Sequence, residues 1–462
     1  MTPHETFKPA EDQGLSARVL FLIFLSASVV RLLNLYFIPD IAAHAMIEDS
    51  PIYWAGAAHW MESGFFSRPG DTGYFHETER VPLYFLYLIP FRALFGETLV
   101  PVLISQALLD GATCVIIACF GQMISRTVGL ASGMLAAVWP NLIIHSGLVL
   151  TDTLFLFFFS LVLLFAARFL SRGRLRDAAV AGLFCGLAIM TRPVALYLPF
   201  AMILVAPFVA YRHNGNRTRS ALAAVIVLVT AALPVLPIAV RNINHFDTLQ
   251  LTSVTGTHIQ GWIAGYSRGL QDGKSFNESS RQMNEKFRDI LKAEDVDPAS
   301  LNQFQISTRQ VEHARAELAE LPLTVVAGAW FQGMMLNTLA PALLIEPRVR
   351  ALNKGSFIDT TGGSFVDRIG NFLTVNSSGY VAWALFGALT GGIAMLLQFA
   401  GWIQLYRWQP YAALFATLVI LYFLLVNGPV ASPKYRLPFE PVLILFQAIA
   451  ITWLARRWRS AK

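Results

Sequence analysis

Charge is what this 462-residue sequence has least of: Asp, Glu, Lys and Arg supply 14% of it, against roughly 25% in an average soluble chain. A soluble protein of this length would divide into two or three domains of about 150 residues, each needing a polar coat. So little charge cannot provide one, which excludes an ordinary water-soluble enzyme. Cysteine is also scarce. Cys114, Cys119 and Cys185 each sit inside an apolar run, so neither a disulfide framework nor a zinc site has its ligands. No internal repeat, low-complexity tract or long polar linker is visible, which excludes a solenoid or a largely disordered chain. The excess of base over acid, 35 against 29, is not gathered on a water-soluble face, so nucleic acid is not an expected partner.

What the sequence has instead is 55% hydrophobic residues and a mean hydropathy of +0.52. A bilayer is crossed by about 20 largely apolar residues in a helix, because every backbone polar group must be satisfied within the segment. Runs that qualify lie near residues 17–38, 97–120, 127–145, 149–170, 177–191, 194–211, 220–240, 378–400, 411–427 and 440–455. The expectation is an all-α polytopic membrane protein with about ten transmembrane helices. Arg172, Arg174 and Arg176, then Arg212, Arg217 and Arg219, then Arg456, Arg457, Arg459 and Lys462 fall at alternate gaps. The positive-inside bias puts these clusters, and both termini, in the cytoplasm. Leu323–Ile345 is apolar too, but a further crossing there would put the Arg-rich tail outside. It is expected to lie along the outer interface. Ala43-His44-Ala45 after the first run resembles a signal cleavage site, a reading that Arg31 and the length of the run weigh against.

Three regions follow: an N-terminal transmembrane module, residues 1–240, carrying an outer loop over 39–96; an outer and interfacial region over 241–376; and C-terminal helices over 377–462. Residues 241–322 hold 20 of the 64 charged residues and read as a small water-facing helical subdomain. Two glycosylation sequons, at Asn277 and Asn376, are three-residue matches without weight.

Chemistry-bearing residues crowd the first outer loop, Ile47-Glu48-Asp49-Ser50-Pro51-Ile52-Tyr53-Trp54, and its return, Tyr74-Phe75-His76-Glu77-Thr78-Glu79-Arg80-Val81-Pro82-Leu83-Tyr84. Asp49 before Ser50-Pro51 is an ordinary helix cap. A carboxylate held at a membrane face and partly desolvated also serves as a base. Asp152 opens the fourth span and Arg192 lies between the fifth and sixth; Arg241 and Asn242 follow the seventh, and Lys434, Tyr435 and Arg436 lie between the last two. Each basic residue alone reads as snorkelling from a helix end. Several of them on the outer face run against the positive-inside bias and together suit an anion, with a phosphate the expected ligand.

In order along the chain, the acidic loop, the Glu-Arg-x-Pro-Leu segment (79–83), Thr151-Asp152, Thr191-Arg192-Pro193, Arg241-Asn242 and Tyr435-Arg436-Leu437-Pro438 resemble the GT-C glycosyltransferases. The narrower resemblance is to the bacterial branch akin to lipid A aminoarabinose transferases and protein O-mannosyltransferases. It implies a bundle of transmembrane helices that moves a sugar from a polyprenyl-phosphate carrier to a glycan, lipid or protein acceptor, usually with inversion, on the periplasmic face of a bacterial inner membrane. By the same resemblance Asp49 is the catalytic carboxylate. Tyr53, Glu79, Arg80, Asp152, Arg192, Arg241, Asn242, Lys434, Tyr435 and Arg436 then bind substrate. Arg80 stands where the family usually has Lys, and Val81 where it usually has Pro. The Phe155, Phe157, Phe158 and Phe159 run suits a groove for the carrier chain but is explained better by core packing.

Two other classes stay open at this level. A transporter or lipid flippase also has many spans, but usually places ionisable residues at mid-membrane depth in repeated halves. An inactive subunit of an envelope assembly complex could keep the same fold. No cofactor is called for. Asp49, His44, His76 and Glu79 offer donors to a divalent metal, yet without a spacing such as His-x-x-x-His, so a metal is not favoured.

Overall fold

A computed structural model describes residues 14–70, 73–355, 357 and 359–460. Among these, seven helical segments are long and apolar enough to cross a membrane: Ala17–Tyr36, Val100–Gln122, Asp152–Arg172, Pro193–Asn214, Ser378–Trp408, Pro410–Asn427 and Pro433–Ser460. Two further spans are broken. Arg126–Ala137 and Pro140–Ser146 meet at 50°, and Arg217–Ala232 and Leu236–Phe246 at 65°. Proline explains both breaks, since it removes an N–H and its ring clashes with the preceding turn: Pro140 opens the second half of one pair, and Pro234 and Pro237 flank the joint of the other. The segment expected as a span near 177–191 is helix Leu175–Ile189, 15 residues long, or about 22 Å at 1.5 Å per residue; it joins the Arg-rich end, at Arg174, to Arg192 beside Asp152 at the other.

In lipid the helices must associate without a hydrophobic drive, so close approach of small residues does much of the work. A Cβ on Gly129 would stand 2.8 Å from the Ala118 carbonyl, which is why Arg126–Ala137 can lie directly on Val100–Gln122. A Cβ on Gly401 would overlap the Phe446 carbonyl, so Ser378–Trp408 touches Pro433–Ser460 backbone to backbone there. Of the Phe run, Phe155 and Phe159 are core packing, while Phe157 and Phe158 are half-buried. Phe155 and Phe159 are fully buried and stack at 5.8 Å, with Phe423 edge-on to Phe159 at 5.0 Å.

The break at Pro140 is repaired by a buried cation. Without a Pro140 N–H the Ala136 carbonyl loses its helical donor, and the bend strands Ala137 as well. Arg31, fully buried on the first helix, donates to both, from Nη2 to Ala136 O at 3.2 Å and from Nη1 to Ala137 O at 2.9 Å. Its charge is met by Asp110 at 2.5 Å, and its remaining contacts are the Ala27 carbonyl and the Cys114 sulfur.

Two ends of the bundle differ. At one, Gly173 lies against His213 and Arg456 donates to Thr127, which gathers the Arg-rich chain segments. At the other stands the loop region. Residues 41–63 form helices Ile41–Ala45 and Ser50–Ser63, followed by an antiparallel hairpin that pairs Ser67–Gly70 with Gly73–His76. Residues 254–319 are helical, as Val254–Asp272 with a π-helical middle, Phe276–Ala293 and Gln303–Ala319. The stretch expected along an interface is helix Leu323–Leu339, which leans on the last turn of helix Pro410–Asn427 and the chain after it: Trp330 donates to Leu425 O and Asn337 to Val430 O. The Asn376 sequon is closed, its amide donating to the Gly355 and Phe372 carbonyls.

Candidate active site

A cavity of about 1340 Å³ lies between the loop end of the bundle and the helices of residues 254–319. Seven separate chain segments bring charge to it. Asp49 comes from the turn before Ser50–Ser63. Pro51 sets the first turn of that helix, yet the Asp49 carboxylate makes no capping bond and reaches Arg80 Nη2 at 3.5 Å instead. The cap reading of Asp49 therefore gives way to an exposed carboxylate facing a guanidinium.

Arg80 and Glu79 are held in place from below. The buried Glu77 carboxylate accepts the backbone N–H of Glu79 at 2.6 Å and of Arg80 at 3.1 Å. The following Leu83 N–H is taken by the Met190 carbonyl, one residue before Thr191-Arg192. Thr78 accepts the Ser253 N–H and hydroxyl, which fastens the 254–319 helices to the same loop. Arg80 keeps a free donor: its Nε is buried without a hydrogen-bond partner among the described residues. Burial works against its charge, but Tyr53, Asp49 and Glu79 outweigh that and leave it above its ordinary value. Tyr53 is buried edge-on between Tyr84 and Phe85 at 5.2 and 5.3 Å.

Asp152 and Arg192 form a buried ion pair in the cavity wall, with the Arg192 guanidinium 6.0 Å from the Tyr435 ring. Lys434 reaches Glu48 at 2.7 Å, and Arg350 reaches the other oxygen of the same carboxylate at 3.1 Å. Burial alone would raise the Glu48 carboxyl; Lys434 and Arg350 together hold it below the usual range. Counting every charged residue that lines the cavity, five carboxylates face five Arg or Lys side chains.

Three expected site residues stand apart from the cavity lining. Arg436 is used up in structure, donating to Glu440 at 2.7 Å and to the carbonyls of Thr338 and Ala340, while Glu440 also takes Trp139 and Asn141. Arg241 folds back onto the Asn242 side-chain oxygen and lies over Phe66. Asn242 is buried and ties down the Gln250 and Leu251 carbonyls. These last two therefore shape the wall from behind, because Gln250 and Leu251 do line it. Among the described residues, no group of three His, Cys, Asp or Glu side chains is placed to hold a metal ion. His44 instead lies buried 3.7 Å from Glu346.

Helix order, spans and an open loop end can be compared with known folds. An archaeal oligosaccharyltransferase from Archaeoglobus fulgidus, solved with a tethered acceptor peptide, superposes over 96% of this chain with a TM-score of 0.52 at 13% identity. The fold is GT-C. The same oligosaccharyltransferase without peptide gives 0.51 at 14% identity, and this chain covers about half the length of either, 50% and 52%. ArnT from Cupriavidus metallidurans, bound to undecaprenyl phosphate, is similar over 94% of this chain and 77% of its own, at 15% identity and a TM-score of 0.38. Residues 80–240 match the family of dolichyl-phosphate-mannose-protein mannosyltransferases. That segment is about a third of the chain, and it carries Arg80, Asp152, Arg192 and Arg241. No curated protein sequence matches the chain.

On this GT-C fold, sequence reasoning missed Glu48 and Arg350. Glu48 stood in plain view beside Asp49, but its partners lie 386 and 302 residues away, and no local pattern joins them. Glu77 was missed as well. A Glu two and three residues before the backbone groups it binds is a readable signal of a tightly turned loop.

Proposed function

We propose that the protein is an integral membrane glycosyltransferase that moves a sugar from a polyprenyl-phosphate carrier to an acceptor on the outer face of the cytoplasmic membrane. The observation that carries this reading is the convergence of Asp49, Arg80, Arg192 and Lys434, from four distant segments, on one large cavity at the loop end of the bundle. The family match over residues 80–240 supports a polyprenyl-type phosphate donor. The Arg-rich segments gather at the opposite end, so the positive-inside bias turns the cavity outward.

The chemistry follows from charge. A sugar phosphate departs as an anion, and cations fixed beforehand around the leaving oxygen lower the barrier without reorganising. Arg80 is the first of these, because its unpartnered Nε gains a bond when a phosphate arrives. Lys434 and Arg192 face the same space. Asp49, on the cavity rim and not engaged in capping, accepts the proton of the attacking acceptor oxygen. Base and leaving group then act on opposite faces of the sugar in a single displacement, which inverts the anomeric carbon. Glu79, 44% exposed, suits the sugar hydroxyls. Asp152 is engaged by Arg192 and serves to hold that guanidinium in place. The charged pair Arg31 with Asp110, buried among the spans, is bonded to the broken helix and offers a transported solute nothing.

The test is release of free polyprenyl phosphate from a panel of polyprenyl-phosphate sugars, with total membrane lipid as acceptor, by protein purified in detergent. Wild type should release it and Asp49→Asn should be slower by at least about 100-fold. Equal release by both removes Asp49 from the chemistry; no release from any donor removes the reaction.

A further inference from the structure

Glu48 has the backbone of a residue under constraint, with φ at 52°, a region that side chains other than Asn and Asp enter seldom. Among the described residues the other two non-glycine positions of positive φ, Asp247 and Asp295, are aspartates just behind helix ends, where that conformation is common. What holds Glu48 is its carboxylate, which bridges Lys434 and Arg350 across the cavity wall. Lys434 and Arg350 come from chain segments 386 and 302 residues away.

The cavity lining carries five carboxylates and five Arg or Lys side chains, so its formal charge is balanced. A donor phosphate brings a negative charge into it, and a resident carboxylate that lets go of its partners restores that balance. Asp152 is unsuited, since its side chain is 3% exposed and locked to Arg192. Glu48 is 26% exposed, lies on a turn of four residues between two helices, and would relax its backbone on leaving. Its neighbour is Asp49, whose contact with Arg80 is loose at 3.5 Å.

We propose that Glu48 is a built-in stand-in for the donor phosphate: it holds Lys434 and Arg350 when the cavity is empty and yields them when the phosphate arrives. Relaxation at residue 48 then re-aims Asp49, so that the base is placed only once donor is bound. This rests on the reading of the cavity as a site of polyprenyl-phosphate sugar transfer.

Equilibrium binding of undecaprenyl phosphate to the full-length protein in detergent tests it, with thermal stability followed in parallel. Glu48→Gln removes the competing charge, and Glu48→Gly removes it while accepting the same φ without strain. Both should bind about tenfold more tightly than wild type, and Lys434→Gln should bind more weakly. A merely structural Glu48 predicts the opposite sign. If wild type binds and both Glu48 variants bind equally or less well, the stand-in role fails and the transferase reading survives. If neither wild type nor any variant binds, both fail. Loss of folding in both Glu48 variants also overturns the proposal, because a displaceable anion is not needed for assembly.

Discussion

Removing Asp110 should damage the protein more than removing Asp110 together with Arg31. In Asp110→Ala the Arg31 guanidinium keeps its carbonyl and sulfur contacts but loses its only countercharge, bonded at 2.5 Å. Stripping one partner from a buried ion pair costs about 3–5 kcal/mol. Arg31→Met leaves the buried carboxylate alone and also takes the donors from Ala136 and Ala137, for a loss of similar size. In the double variant no buried charge remains. Ala136 O still receives the Trp139 N–H, so the Ala137 carbonyl is the group left without a donor, at about 1–3 kcal/mol. The double variant should therefore be more stable than either single one, with a coupling of at least about 3 kcal/mol. Titrating the four proteins with denaturing detergent and following tryptophan fluorescence measures this cycle. Losses that simply add would refute the idea that Arg31 is a charge-balanced splint for the Pro140 break.

Two further expectations separate structure from chemistry. Arg436→Gln should lower the melting midpoint, through the lost bonds to buried Glu440 and to the carbonyls of Thr338 and Ala340, yet leave the donor KM of the folded fraction within about twofold; a KM rise like that of Lys434→Gln would return Arg436 to the substrate. His76 is held below its ordinary value of 6.5 by desolvation, then by His245 and Arg241, so its neutral form belongs to the folded state. The stability it supports is intact above the unfolded value and is lost as pH falls through 6.5 toward the lowered value. The midpoint should thus drop between about pH 7.5 and about pH 5.5, and less steeply in His76→Gln; equal slopes would show that His76 plays no part.

The spans were legible because a bilayer imposes a composition that no soluble core needs, and the Arg clusters fixed one end of the bundle. The break after Ala137 was not read, although Trp139-Pro140 was there, because an apolar run continues unbroken through it. At the site, Asp49, Arg80, Asp152, Arg192 and Lys434 line the cavity, and each could be singled out because it stands at a helix start or beside one. Arg241 and Arg436 stand outside the lining for a reason that position along a helix does not carry: Arg436 is engaged by Glu440 and Arg241 by Asn242, although Arg241 Nη1 keeps no partner among the described residues. Glu48 with Arg350, and Arg31 with Asp110, depend on partners far along the chain, and composition carries no trace of such pairs.

Helix Ser378–Trp408 has 31 residues, which makes it about 46 Å long, while the hydrocarbon layer is about 30 Å thick. It is mostly open to lipid and is pinned at Gly401 against Phe446. Tyr380, in its first turn, lines the cavity, 21 positions or about 32 Å from that pin. A thinner bilayer makes such a helix lean. A change of roughly 10° about Gly401 would carry Tyr380 by about 5 Å, so a tilt of this helix would move the cavity wall.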